Sequence, residues 1–182
     1  MGPLDPPPIL DHLDALRSYA RTLTLGGQEA DDLVHDALVR AYDKRHTFRA
    51  DGDLGRWLLS ILHNTFVSNL RRERAEAARI EKAWRPGADR VEPAQEHAAE
   101  VARVQAAFVD LPAEQRAVLH LVVGEGLSYQ DVAQVLNLPL GTVMSRLARA
   151  RSALRPADLR GEAASSETPR RKLRIVGGTD DD

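Results

Sequence analysis

The sequence contains no cysteine and few aromatic residues, and each absence excludes a class of protein. Without cysteine there is no disulfide framework, no thiolate zinc site and no cysteine nucleophile. Aromatic residues make up 4% of the 182 residues, which favours compact helical modules over a β-sandwich or a barrel. No apolar run is long enough to span a bilayer, and the proline-rich start does not resemble a secretory signal. We therefore expect a soluble cytoplasmic protein.

Sequence signals of catalysis are also absent. The six histidines never form a pair one helical turn apart, and no HExxH, GxSxG or glycine-rich phosphate loop occurs. The adjacent pairs Asp31–Asp32 and His35–Asp36 would diverge on a helix, because consecutive side chains point in different directions. We predict no intrinsic catalysis, no cofactor, no metal site and no small-molecule substrate.

Charge is nearly balanced over the whole chain but is unevenly distributed along it. The formal net charge of −2 gives no hint of nucleic-acid binding. Yet residues 139–174 hold nine arginine and lysine residues against three acidic ones, whereas acidic residues crowd together at Asp31, Asp32 and Asp36. This asymmetry predicts that different segments bind different partners.

Helical periodicity and its interruptions predict an all-α chain made of two small modules. The expected segments are a flexible leader at 1–8, a first module at 9–83, a linker at 84–93, a second module at 94–155 and a disordered charged tail at 156–182. The first module carries three amphipathic helices, enough for a small bundle, and Gly26–Gly27 is expected to end the first helix. The second module carries four helices.

The most specific local pattern is a helix-turn-helix at residues 128–154. Ser128 and Asp131 suit the start of a helix, Asn137 tolerates a left-handed turn, and Pro139 suits the start of the next helix. An apolar stripe then follows at Val143, Leu147, Ala150 and Leu154. The polar residues suited to duplex DNA are Ser128, Thr142, Ser145, Arg146, Arg149 and Arg151. An amphipathic surface helix with solvated arginines is the alternative for these residues alone.

Two helical modules ending in this motif resemble the extracytoplasmic-function (ECF) type of bacterial RNA polymerase sigma factor of the sigma-70 family, over roughly residues 10–155. DDLVHDALVRAY at 31–42 is similar to the family's polymerase-binding helix. TFRADGDLGRWLLSILHNTF at 47–66 is similar to its loop and helix for the minus-ten element, and residues 111–151 are similar to the part that binds the minus-thirty-five element. The resemblance implies two partners, core RNA polymerase and promoter DNA, with the chemistry belonging to the polymerase.

The resemblance also implies roles for particular residues of the first module. The positions matching the polymerase-binding helix are Asp32, Leu33, Val34, Asp36 and Arg40. Leu33 and Val34 could instead be core, and the aspartates could be helix-start charges. The positions matching the minus-ten site are Phe48, Arg49, Asp51 and Asn64, with Arg71, Arg72 and Arg74 on phosphates. Phe48 could equally pack in the core beneath the loop. Trp57 is better suited to the core than to stacking on a base.

The segment GTVMSRLARAR, with Met144 where many members carry a polar residue, is most similar to the subgroup that drives the general stress response of alphaproteobacteria. This resemblance implies a small helical anti-sigma factor that covers apolar and acidic surfaces on both modules. Two alternatives remain open. A sigma-like mimic that sequesters an anti-sigma factor would carry a receiver domain, for which 182 residues leave no room. A simple helix-turn-helix repressor would leave the first module unassigned.

Overall fold

The computed structural model describes the backbone of residues 9–80 and 96–155, and the side chains of residues 9–77 and 103–155. The helices are α1 (Leu13–Thr24), α2 (Gln28–Asp43), α3 (Leu54–Ile80), α4 (Glu96–Val109), α5 (Ala113–Val123), α6 (Tyr129–Leu136) and α7 (Leu140–Leu154), with a 3-10 turn at Arg45–Thr47. The predicted leader, linker and tail lie outside the described residues. Within the described ranges, no helix is both long enough and apolar enough to cross a membrane.

Helices α1, α2 and α3 form a three-helix bundle, which confirms the architecture predicted for the first module. Apolar residues three and four positions apart face inward on each helix, because that spacing places them on one side of a 3.6-residue turn. Their buried members include Leu16, Tyr19 and Leu23 of α1, Leu33, Val34 and Ala37 of α2, and Leu58, Ile61 and Leu62 of α3.

The end of α1 differs from the sequence prediction. The glycine pair does not end the helix: Leu25 itself takes the left-handed conformation, with φ of 61°, and its backbone N–H donates to the Arg21 carbonyl. Gly27 instead precedes the first turn of α2. The side chain of Thr24 donates to the carbonyls of Ala20 and Gly26, at 3.1 Å each. These contacts fix a turn in which a residue other than glycine adopts positive φ.

The second module follows the predicted order of four helices. Pro112 and Pro139 precede α5 and α7, where the missing N–H of proline leaves no helical bond unmade. Asn137 closes α6 with φ of 51°, as the sequence predicted. Buried residues that join these helices are Val118, Leu121, Val132, Val143 and Leu147.

The two modules pack against each other in this structure. Helix α1 lies against α5, and α3 lies against α6. The buried apolar residues of both modules form one continuous cluster. The partners across this boundary are far apart in sequence, so helical periodicity alone could not have predicted it.

Candidate nucleic-acid interface

The helix-turn-helix is built from a capped short helix and a longer second helix. The Ser128 hydroxyl oxygen accepts a bond of 3.1 Å from the Asp131 backbone N–H and donates one of 2.7 Å to its carboxylate. The Ser128 hydrogen bond is the main reason that the pKa of Asp131 lies below its ordinary value, with the Arg56 guanidinium also lowering it. In α7, Val143, Leu147 and Ala150 are buried. The apolar stripe predicted for the second helix is therefore confirmed at these three positions.

Most of the predicted polar face of α7 is accessible. Ser145, Arg149 and Arg151 are exposed, and Thr142 is half-buried. The Ser145 hydroxyl donates to the Thr142 carbonyl at 3.0 Å. A helix that buries one stripe and exposes Ser and Arg on the opposite side has the chemistry for phosphate and base-edge contacts in a major groove.

Arg146 differs from its neighbours on α7. Its side chain is 22% exposed, and its Nη2 lies 2.7 Å from the Glu114 carboxylate at the start of α5. In this conformation the arginine is therefore paired within its own module, whereas Arg149 and Arg151 face solvent.

The loop before α3 presents a second set of polar groups. The exposed side chains of Arg49 and Asp51 form an ion pair of 3.2 Å, and the Gly52 N–H donates to the Arg49 carbonyl at 2.8 Å. Phe48 is half-buried, with its ring centroid 5.4 Å from that of Trp57. Here Phe48 packs under the loop, while Asn64 is exposed on the following helix.

The predicted polymerase-binding residues of α2 separate into two groups. Asp32 and Asp36 are exposed and Arg40 is half-buried. Leu33 and Val34 are only 4% and 5% exposed, so in this conformation both side chains lie in the core. The reason is that α2 is packed against both α1 and α3, which covers two neighbouring directions of the helix.

A groove of about 650 Å³ runs beside this acidic face. The exposed residues Arg72 and Arg74, in the last part of α3, line it together with Asp32 and Asp36. Leu33 also lines it, and the second module contributes Ala113 and Arg116. Arg71 is exposed on the same helix. The groove is thus both charged and apolar, and both modules contribute to it.

Sequence reasoning missed a layer of buried and half-buried polar groups between the modules. The Tyr19 hydroxyl lies 2.9 Å from Nδ1 of His63, and the Tyr19 ring stacks on that of His120 with centroids 5.3 Å apart. His120 also lies 2.9 Å from the Thr22 hydroxyl and 3.1 Å from the Glu125 carboxylate. The only signal in the sequence was a polar residue directly beside apolar ones, as in Ile61-Leu62-His63.

Burial sets the protonation of this layer. Desolvation, together with the positive charge of Arg146, lowers the pKa of His63 from 6.5 to about 4. Burial also lowers the pKa of His120, although the Glu125 carboxylate opposes this effect. Desolvation raises the pKa of Tyr19, so its hydroxyl keeps its proton and can donate it to the neutral imidazole.

Arg56 and Arg116 are two further residues that the sequence did not single out. Arg56 of α3 pairs with Asp131 of α6 and also, at 3.1 Å, with Asp53. Arg116 of α5 is 7% exposed and donates to main-chain carbonyls of α1. Both arginines connect the first module to the second.

The fold and these surfaces define a two-module helical DNA-binding protein with a carboxyl-terminal helix-turn-helix. Family models agree with this assignment: Sigma-70 region 2 matches residues 9–76, and Sigma-70 region 4 matches residues 102–154. The ECF RNA polymerase sigma factor EcfG of Rhodopseudomonas palustris is 36% identical over 146 residues, which cover 80% of each chain. The factor SigM of Mycobacterium tuberculosis is 37% identical over 144 residues, covering 79% of this chain and 71% of SigM.

A solved structure is similar as well. The sigma factor RpoE of Bartonella quintana, in complex with the anti-sigma factor NepR, matches with a TM-score of 0.66 and 33% identity over 80% of this chain and 91% of RpoE. The chain therefore belongs to the ECF sigma factors of the sigma-70 family. Proteins of this family are transcription initiation factors that bind core RNA polymerase and promoter DNA, which confirms the family and partners that the sequence predicted.

Proposed function

We propose that the second module of this sigma factor reads the minus-thirty-five element through α7. The observation that carries this assignment is the capped helix-turn-helix whose second helix exposes Ser145, Arg149 and Arg151 opposite a buried stripe. In such motifs the second helix enters the major groove and the first crosses the backbone. Ser128 and Thr142 would contact phosphates near the helix starts, and Arg146 would join them once released from Glu114.

The first module would capture the unpaired minus-ten element. Arg49, Asp51 and Asn64 are exposed around the loop before α3, where a base flipped from the non-template strand can be held by stacking and by polar contacts to its edge. Phe48 would supply the stacking surface after leaving its contact with Trp57. Arg71, Arg72 and Arg74 extend from the same helix and suit the phosphate backbone.

The exposed acidic face of α2, formed by Asp32 and Asp36, would dock on a basic surface of core polymerase, with Arg40 at its edge. Leu33 and Val34 would support this face from inside the core. The first module, residues 9–83, would carry the polymerase and minus-ten functions. The second module, residues 94–155, would carry the minus-thirty-five function, and residues 84–93 would link the two.

We assign the chain to stress-responsive transcription under anti-sigma control. Support comes from the similarity to a sigma factor solved with an anti-sigma factor and from the groove to which both modules contribute, which a small helical protein could cover. The chain would act in the cytoplasm, without intrinsic catalysis and without a cofactor, since the reaction belongs to the polymerase.

The test is run-off transcription with core polymerase, the full chain and a candidate stress promoter. We expect a promoter-dependent transcript that Arg149→Ala reduces at least tenfold at moderate salt, whereas Arg17→Ala, an exposed arginine of α1, leaves it unchanged. DNA binding without any transcript would overturn the sigma assignment and favour a simple repressor. Capture of an anti-sigma factor with neither DNA binding nor transcript would favour the mimic.

A further inference from the structure

The groove beside α2 carries charges of both signs that do not pair with each other. The charged residues at issue are Glu29, Asp32 and Asp36 on α2 and Arg72, Glu73 and Arg74 on α3. All six side chains are exposed. Within the described part of the chain, none of the six forms an ion pair. Opposite charges therefore line one groove without neutralising each other.

The same groove also has an apolar part. Leu33 is buried, whereas Phe66 and Leu70 of α3 are half-buried and keep some surface that water can reach. Phe66 and Leu70 are four residues apart, which places them on one face of the helix. A volume of about 650 Å³ admits several side chains at once. An occupant that suits this groove combines cationic, apolar and anionic groups in a short stretch of chain.

The chain itself carries such a stretch beyond α7, at residues 170–182, with the sequence RRKLRIVGGTDDD. We call this stretch the 170–182 segment. Its basic residues are Arg170, Arg171, Lys172 and Arg174. Its apolar side chains are Leu173, Ile175 and Val176, and three aspartates follow at 180–182. The segment therefore contains each kind of group that the groove complements.

The connection between α7 and the segment is long enough for this contact. Residues 156–169 lie between them and can span up to about 50 Å when extended. A compact domain of the described size has a radius of gyration of about 14 Å, so the groove is within reach. Helix α5, which contributes Ala113 to the groove, also packs on α7. Such a tether gives an effective concentration on the order of a millimolar, so weak contacts suffice.

Promoter DNA is another acidic surface that the basic residues could bind, because the segment follows the recognition helix in the chain. Phosphates attract Arg170 and Arg171 but repel the three aspartates of the same segment. Phosphates also offer no apolar surface to Leu173 and Ile175. The groove offers carboxylates, apolar surface and guanidinium groups, so every part of the segment has a complementary group there. The chemistry therefore favours the groove over DNA.

We propose that the 170–182 segment of this chain occupies the groove. Its basic residues bind the carboxylates of α2, its apolar residues pack on Phe66 and Leu70, and its aspartates bind the guanidinium groups of α3. The bound segment covers Asp32 and Asp36 and competes there with core polymerase, a consequence that rests on the proposed function. With the groove filled about four fifths of the time, the apparent affinity for polymerase falls about fivefold.

The absence of cysteine makes a direct distance measurement in the full chain simple. Spin labels are placed by Ser68→Cys, at an exposed position of α3, and by Thr179→Cys, in the segment. Double electron–electron resonance then measures the distance between them, and we expect one narrow population. A broad distribution would overturn the proposal. A narrow population that arises only between mixed singly labelled chains, or only after DNA is added, would overturn it in favour of a second copy or of DNA.

Variants of the segment separate docking from general attraction between charges. Leu173→Ser with Ile175→Ser removes the apolar contacts at constant net charge and should abolish the narrow population. Arg171→Glu should weaken that population, whereas Arg160→Glu makes the same change in charge outside the segment and should leave it unchanged. Adding Glu29→Lys to Arg171→Glu should restore part of the narrow population, because the two charges are exchanged. A narrow population that survived both segment variants would refute the docking.

Competition is measured separately, as equilibrium binding of the full chain to core polymerase without an anti-sigma factor. The chain with Leu173→Ser and Ile175→Ser should bind about fivefold more tightly than the parent, and Arg160→Glu should bind as the parent does. Release of the segment with unchanged affinity would overturn the competition. The distance measurement contains neither polymerase nor DNA, so its result stands whether or not the proposed function is correct. A parent chain that failed to bind polymerase would overturn the proposed function and not the docking.

Discussion

The Nη2 atom of Arg146 lies 2.7 Å from the carboxylate of Glu114, so a central cation of the recognition helix is neutralised by its own module. Arg146 is 22% exposed and Glu114 is 68% exposed. Because the Glu114 end of the pair is open to water, solvent screens the interaction and its contribution to stability is small. Its main effect is on the charge that the helix offers to DNA.

Glu114→Gln should therefore strengthen DNA binding. Without the carboxylate, Arg146 becomes available for a phosphate, and the slope of log affinity against log salt should steepen by up to about 0.9. Fluorescence anisotropy of the full chain on a labelled minus-thirty-five duplex measures this slope. The same substitution in an Arg146→Ala background should have no effect, and an unchanged slope in the single variant would contradict the pairing.

The histidine layer predicts that acid destabilises the fold. Since the pKa of His63 falls from 6.5 to about 4 on folding, the unfolded chain binds a proton below pH 6.5 that the folded chain does not take up until about pH 4. Stability is therefore present in full above pH 6.5 and decreases as the pH falls, by up to about 3 kcal/mol. Urea denaturation at several pH values measures this loss.

Replacing His63 with a neutral residue separates its contribution to the pH dependence of stability from that of His120. His63→Gln should reduce the pH dependence of the free energy of unfolding, while the remaining slope reflects His120, whose pKa burial also lowers. Equal slopes in parent and variant would show that His63 is protonated at similar pH in both states.

We predict that two apolar residues on the exposed side of α7 contribute to base recognition. Leu140 and Met144 stand one turn apart and are 41% and 52% exposed, in the amino-terminal half of the helix, which contacts base edges in this type of motif. An apolar side chain at this place can pack on the methyl group of thymine. Met144→Ala should then weaken preference for thymine.

Thymine-to-uracil replacement tests this contact at each thymine of the selected minus-thirty-five site. Loss of one buried methyl group is worth about 0.8 kcal/mol, or roughly fourfold in affinity. We expect uracil at one position to weaken promoter binding by the parent holoenzyme roughly fourfold. The same replacement should leave promoter binding by the Met144→Ala holoenzyme unchanged. Equal sensitivity of both proteins at every thymine would exclude a methyl contact by Met144.

The split between core and surface on α2 can be tested with two neighbouring residues. Leu33→Ala should lower the free energy of unfolding by about 2–5 kcal/mol, because it leaves a cavity in the core. Asp32→Ala should change stability by no more than about 0.5 kcal/mol but weaken binding to core polymerase. Thermal denaturation and polymerase pull-down distinguish the two. If Leu33→Ala stayed folded and lost polymerase binding as much as Asp32→Ala does, Leu33 would be a contact residue for the polymerase.

Much of the second module could be predicted from local sequence. The Ser128 cap, the left-handed Asn137 and the position of Pro139 depend on backbone groups a few residues away, so the sequence around them contains the whole cause. The apolar stripe of α7 likewise follows from helical spacing. At the end of α1 the same reasoning failed, because Leu25 and not a glycine takes the left-handed position.

The sequence by itself determined the helices, their caps, the division into two modules and the membership of the ECF sigma factors, since all of these depend on short-range patterns. Only the tertiary structure decided that Leu33 and Val34 are both buried, because this required α2 to pack on two helices at once. It also decided that the modules close on each other. Arg116 and the Thr22 carbonyl are 94 residues apart in the chain, and no local pattern marks two groups that meet only after both bundles have formed.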